Sequence, residues 1–290
     1  MRLHRRDHWA ALLVLVPTVA VAGLFLFGFA LWSGWISLTS STLLPRYDFV
    51  GWLQYQRLFA MARWLTAYRN LLVFGVLFIG FSLGLGLLLA ILLDRKIRGE
   101  GILRTIYLYP MAVSFVVTGT AWRWILDPSL GLQETARGLG WASFSFDWLS
   151  DPDRSLYTLV IAGVWQSAGL AMALFLAGLR GIDGEIVKAA RIDGAPVWKI
   201  YAFILIPLLK PAFATAGILL SVTVIRSFDL VVVLTGGGPG FSSDLPSRFM
   251  VEMAFRRDQL GLGAASAMVI LATFIAVITP FLYAGRQRAR

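Results

Sequence analysis

NLLVFGVLFIGFSLGLGLLLAILL, the stretch from Asn70 to Leu93, contains no charged residue and no proline. At about 1.5 Å of rise per residue, such a helix crosses the roughly 30 Å hydrocarbon core of a bilayer, where main-chain groups can bond only to one another. The stretch predicts a transmembrane helix, and the same reading extends along the chain. Six spans are expected, near 10–36, 70–93, 105–126, 155–179, 208–234 and 260–284. The third carries Pro110 early and Arg123 near its end, and the fifth carries Arg226 and Asp229 inside it. Composition agrees. Of 290 residues, 58% are hydrophobic and only 14% charged, whereas soluble domains carry about 25% charged residues. Mean hydropathy is +0.74.

Basic residues order the loops. Arg2, Arg5 and Arg6, then Arg95, Lys96, Arg98 and Arg104, then the segment from Arg180 to Lys210, and finally Arg286, Arg288 and Arg290 fall on one side of the predicted bundle. The other side is poorer in them, so both termini are expected in the cytoplasm by the excess of Lys and Arg there. The net charge of +10 is explained by this punctuation of apolar runs rather than by a nucleic-acid footprint, which needs clustered charge on a polar surface. Arg5-Arg6 ahead of Ala20-Val21-Ala22 imitates a cleavable signal. The apolar run continues past that point to Trp35, and an uncleaved anchor helix is expected.

Several chemistries are excluded. There is no cysteine, hence no disulfide, thiolate metal site or cysteine nucleophile. His4 and His8 are the only histidines and sit in the basic tail. The glycine run from Gly236 to Gly240 has no lysine behind it to hold a phosphate, so the chain is not expected to hydrolyse ATP. No catalytic residue and no metal ligand set is expected, which leaves transport, channel or signalling work.

Between the fourth and fifth spans, residues 181–207 form a polar segment too long for a simple connection. Asp183 is placed to cap a helix; Ile186, Ala189, Ala190 and Ile192 give it an apolar face, and Gly194-Ala195-Pro196 ends it. The segment reads either as an interfacial helix against anionic lipid or as a docking element for a soluble partner.

The spacing Ala189-Ala190, three residues, Gly194, nine residues, Ile204-x-Ile206-Pro207 resembles the E-A-A-x(3)-G-x(9)-I-x-L-P coupling loop of ABC importer permeases. Lys188 stands where that pattern has its acid, Ile206 where it has leucine, and Glu185 lies one turn earlier. The likeness extends to Trp122-Arg123-Trp124-Ile125-Leu126-Asp127-Pro128, to Trp165 with Leu176-Ala177-Gly178-Leu179, and to Ser227-Phe228-Asp229 with the run from Leu234 to Pro239. Ala254-Phe255 ahead of Gly263-Ala264-Ala265-Ser266-Ala267 completes a similarity to carbohydrate permeases of the maltose type. The runs Arg104–Met111, Asp151–Arg154 and Ser242–Pro246 look most like the glucose/mannose-type members.

The resemblance implies an all-α permease of the ABC type I importer fold in a bacterial inner membrane. It implies a second homologous permease, two ATPase subunits that bind the ATP and Mg, an extracytoplasmic sugar-binding protein and a sugar substrate; this chain itself holds no cofactor. ATPase coupling is expected at Glu185, Lys188, Ala189, Ala190, Asp193, Gly194 and Pro207. The sugar path is expected at Gln166, Ser167 and Leu170 on the fourth span, and at Thr223, Val224, Arg226, Ser227 and Asp229 on the fifth.

Each of these residues has a plainer reading. Arg226 and Asp229, three apart, share a helix face and read equally as an ion pair locking two helices. Gln, Ser and Thr also join transmembrane helices by hydrogen bonds alone. Trp122 and Trp124 around Arg123 read as an interfacial aromatic belt with a snorkelling arginine. The loop from Thr235 to Gly240 is either a channel mouth or a helix stop, and Gly80, Gly84 and Gly86 read as close-packing positions. Another carbohydrate, such as a disaccharide, glycoside or glycerol phosphate, is the nearest alternative substrate. A secondary transporter, with Asp229 as its only intramembrane acid, and a membrane signalling module are the rival classes.

Overall fold

The structure is a computed structural model that describes residues 3–44, 46–95 and 98–286, with side chains described between 15 and 279. Lys96, Arg2, Arg288 and Arg290 lie outside the described residues, and the side chains of His4, His8, Arg5, Arg6 and Arg286 lie outside the described ones. The regular secondary structure of the described residues is helical, apart from one isolated β-bridge between Thr39 and Phe49. They fall into two compact units.

The first unit comprises Met1–Met61 and Phe249–Leu271. Its helix α1 runs Leu3–Ile36 and keeps large apolar side chains exposed, Leu24 and Leu31 among them. The turn after α1 is held by hydroxyls: Ser37 Oγ meets Tyr55 Oη at 2.8 Å, and Thr39 Oγ1 donates to the Ile36 carbonyl at 2.8 Å. Helix α2, Leu53–Ala60, contributes Gln54, whose Nε2 donates to the Thr39 carbonyl at 2.9 Å. These buried polar groups are thus paired, as burial requires.

The second unit, Ala62–Arg248 and Ala272–Arg290, contains α3 (Ala62–Asp94), α4 (Glu100–Ala112), α5 (Phe115–Ile125), α6 (Leu132–Gly138) and α7 (Ser155–Arg180). It continues through α8 (Gly184–Ile192), α9 (Val197–Leu208), α10 (Lys210–Ile225) and α11 (Phe228–Leu234). A helix Pro246–Val251, α12, and the long α13, Leu260–Arg286, extend across the boundary between the units. Small residues let α3 and α7 approach: Gly163 faces the Phe78 ring, and a Cβ on Gly86 would lie 2.5 Å from that of Ala171. One apolar core gathers Phe74, Phe78, Leu159, Leu220, Leu230 and Leu245. A second gathers Ala90, Leu93, Met172, Phe175, Ala190, Ile200 and Leu209, and so reaches from the spans into the polar loop.

Among the described residues, four helices are long and apolar enough to cross a membrane, and two bent pairs bring the number to six if each pair is one span. Three expected boundaries are corrected. The helix that contains the second expected span begins not at Asn70 but at Ala62, and Arg63 in its first turn pairs with Asp244. The third is not one helix: α4 and α5 meet at 102°. Pro110 supplies no N–H to continue α4, and Ser114 caps α5 by accepting from the Val117 N–H at 3.3 Å.

The fifth is broken twice, by a 65° bend at Leu209 and by a gap between α10 and α11 at Arg226-Ser227. Ser221, Thr223 and Ser227 each return a hydroxyl to the carbonyl four residues earlier. Such back-bonding competes with the helical ladder and bends helices.

Candidate functional site

In the segment between α7 and α9, the expected cap is present: Asp183 Oδ1 accepts from the Glu185 N–H at 3.0 Å. Helix α8 ends in a complete Schellman motif. The Gly194 N–H donates to the Arg191 carbonyl and the Ala195 N–H to the Ala190 carbonyl, both at 3.0 Å. Gly194 has φ +78, a left-handed conformation that side-chain-bearing residues resist, while a Cβ there would meet nothing within 4 Å. Its glycine is required by the turn and not by crowding within this chain.

The apolar face expected on α8 divides. Ala190 is buried in the core and Ala195 packs against the same core, whereas Ile186 is 40% and Ile192 86% exposed. Ala189, Asp193, Gly194 and Pro207 are also exposed. Lys188 Nζ reaches Glu185 Oε1 at 2.7 Å, an exposed pair that contributes little to stability. The lysine in the acid's place therefore finds its partner one turn back on its own helix.

After Pro196, α9 contains a π-helical turn over Ile200–Leu205. Tyr201 Oη donates to Asp94 Oδ2, at the last residue of α3, at 2.8 Å. Neither residue was marked by the sequence; no spacing rule joins positions this far apart.

The residues expected along the sugar path occupy two levels. Gln166 is buried and donates through Nε2 to the Val113 carbonyl at 2.7 Å, at the bend between α4 and α5; its Oε1 has no partner. Ser167, Val224 and Ser227 are buried as well, and Ser227 Oγ donates to the Thr223 carbonyl at 2.7 Å. Leu170 and Thr223 are half-buried, while Arg226 and Asp229 are exposed. The expectation that Arg226 and Asp229 share one continuous helix is corrected, since Arg226 closes α10 and Asp229 lies in the first turn of α11. No ion pair joins them among the described residues.

Past α11, the glycine loop is built rather than slack. Gly236, Gly237 and Gly240 take positive φ, and Ser243 Oγ lies 2.8 Å from both the Gly238 carbonyl, to which it donates, and Thr235 Oγ1. Asp244, fully buried, accepts from Arg63 Nε at 2.8 Å and from Arg248 Nη1 at 3.0 Å. Asn70 Nδ2 donates to the Ser242 and Asp244 carbonyls at 2.8 and 3.0 Å. Arg63 also lies 4.3 Å from the centre of the Phe241 ring. Sequence reading missed this clamp, whose charges lie outside the predicted spans and pair only in three dimensions. Arg123 Nη1 reaches the Val233 carbonyl at 3.3 Å, joining α5 to α11, and Trp124 is 72% exposed. Among the described residues, no group of three or more His, Cys, Asp and Glu could hold a metal ion.

Comparison with known proteins gives a consistent result. The family described as the binding-protein-dependent transport system inner membrane component matches residues 82–288. A probable ABC transporter permease of Pyrococcus horikoshii is 40% identical over 274 residues, 94% of each chain. The trehalose/maltose transport system permease of Thermococcus litoralis is 34% identical over 295 residues, covering 99% of this chain and 97% of the relative. The xylose/arabinose import permease of Haloferax volcanii is 35% identical over 241 residues, 82% of this chain and 75% of the relative. Among solved structures, a chain of the bacterial alginate ABC transporter in complex with its alginate pentasaccharide-bound periplasmic protein superposes with a TM-score of 0.84. It is 19% identical and covers 100% of this chain and 99% of that one, a likeness of fold.

Proposed function

The chain belongs to the family of binding-protein-dependent transport system inner membrane components, and on that premise we propose that it is the permease subunit of an ATP-driven sugar importer of the glucose/mannose type. It is a non-catalytic membrane subunit. In this reading it crosses the inner membrane six times with both termini in the cytoplasm. It forms the path with a second permease, receives sugar from an extracytoplasmic binding protein, and docks on a dimer of ATPase subunits that hold the ATP and Mg.

The observation that carries the reading is the condition of α8. It rests on the core through the buried Ala190 and the half-buried Val187, is closed by the Gly194 turn, and leaves Ile186 and Ile192 open. An isolated chain gains nothing by exposing that apolar face, whereas a cleft in a partner would bury it. Glu185, Lys188, Ala189, Asp193 and Gly194 then form the docking surface, with Pro207 in the arm behind it.

For the path, we place sugar contact at Arg226 and Asp229, flanked by Leu170 and Thr223. Gln166, Ser167, Val224 and Ser227 form the packed wall behind. Two full charges inside a predicted span cost a few kcal/mol each unless they meet water, a partner or a polar substrate. A carboxylate and a guanidinium also suit the hydroxyls of a sugar, one accepting and the other donating hydrogen bonds.

The test is reconstitution of both permeases, the ATPase dimer and the binding protein, with ATP hydrolysis and labelled uptake followed for glucose, mannose, maltose and glycerol phosphate. Stimulation by glucose or mannose alone is expected. Stimulation only by another solute would retain the importer and discard the assigned sugar.

A further inference from the structure

Helix α3 runs unbroken over Ala62–Asp94, about 50 Å at the standard helical rise, and carries a polar tie at each end. At the Asp94 end the tie is the hydrogen bond from Tyr201. Among the described residues it is the only side-chain hydrogen bond that leaves the segment 181–209 for another part of the chain. At the other end, Arg63 and Asn70 hold Asp244 and with it the glycine loop. Tyr201 sits in the π-helical turn, where the helical ladder is already widened, while α8 and its Gly194 turn lead directly into the same arm. A displacement of α8 has apolar contacts through which to move the spans, but contacts of that kind slide. The Tyr201–Asp94 bond fixes a direction.

We propose that Tyr201 and Asp94 are a positioning pair that makes α3 the route by which the docking segment moves the glycine loop over 236–244. This rests on the reading of α8 as the ATPase-docking element. In the state where α8 shifts, the phenol draws the end of α3 with it, and the rod carries the shift to the Arg63–Asp244 clamp. Because the pair touches neither the outward face of α8 nor Arg226 and Asp229, its loss should leave docking and sugar recognition in place and weaken what links them.

The test uses the reconstituted complex with Tyr201→Phe, Asp94→Asn and the double variant. Tyr201→Phe is expected to keep ATPase docking while sugar imported per ATP falls roughly tenfold, the factor corresponding to one hydrogen bond to a charged group. Asp94→Asn retains an acceptor and should recover part of the loss, and the double variant should be no worse than Tyr201→Phe, the non-additivity of a contacting pair. Amide exchange over 236–244 on adding a non-hydrolysable ATP analogue is expected to change in the parent complex and not in Tyr201→Phe. That measurement requires no transported sugar, so failure of the sugar assignment and failure of the pair are separable. An exchange response that survives Tyr201→Phe, additive effects of the two substitutions, or loss of ATPase docking in Tyr201→Phe would each overturn the proposal.

Discussion

The side-chain amide of Gln166 donates to the main-chain carbonyl of Val113 at 2.7 Å, across the point where α4 and α5 turn by 102°. A bend at membrane depth frees carbonyls that water cannot reach, and neighbouring side chains must satisfy them. Gln166→Leu leaves the Val113 carbonyl unbonded and is expected to lower stability by about 1–2 kcal/mol, part of the loss being offset by removal of the orphaned Oε1. Thermal unfolding in detergent measures this. A change in sugar KM at unaltered stability would instead move Gln166 from the wall to the path.

The glycines of α3 separate by position. An added Cβ at Gly86 would lie 2.5 Å from Ala171 Cβ and 2.8 Å from the Met172 nitrogen, whereas at Gly80 and Gly84 it meets nothing within 4 Å. Gly86→Ala should therefore destabilise by about 1–3 kcal/mol through overpacking. Gly80→Ala and Gly84→Ala should be neutral or gain about 0.5–1 kcal/mol from helix propensity. Melting temperatures of the three variants decide it.

Asp244 pairs with two arginines while fully buried. Asp244→Ala is expected to cost about 3–5 kcal/mol, since it removes the buried carboxylate that Arg63 and Arg248 share. Asp244→Asn, which keeps the shape and an acceptor, should cost less. The difference is read from unfolding midpoints and from faster amide exchange across Gly236–Asp244.

On the path, Asp229→Asn and Arg226→Gln are expected to reduce sugar uptake at least tenfold, by the loss of a charge-assisted hydrogen bond, while ATPase docking is retained. Ser227→Ala should act on stability alone, because its hydroxyl is spent on the Thr223 carbonyl. Equal effects of all three on uptake would contradict the two-level arrangement.

What could be read from sequence follows a physical division. Span positions depend on local composition, so α7 and the fourth expected span nearly coincide, and the Asp183 cap and Gly194 stop follow from short-range turn chemistry. The breaks at Val113 and Arg226 were hidden because hydropathy records what a residue dissolves in, not where its hydroxyl or carbonyl bonds. Pro110 and the Ser221, Thr223, Ser227 series were visible signals, yet either is tolerated in a straight transmembrane helix. Tyr201–Asp94 and Arg63–Asp244 depend on pairings over 107 and 181 positions, which no local pattern encodes.

The narrow seat of α8, Ala190 with Val187 beside it, has a consequence for ancestry and engineering. A plug held by two apolar residues on its inner side can have its outer side rewritten freely. Ile186, Lys188, Ala189 and Ile192 can change without repacking the core around Ala190. On the docking role proposed for α8, exchange of one ATPase for another between related importers becomes a matter of substitutions on the outer side of this one helix.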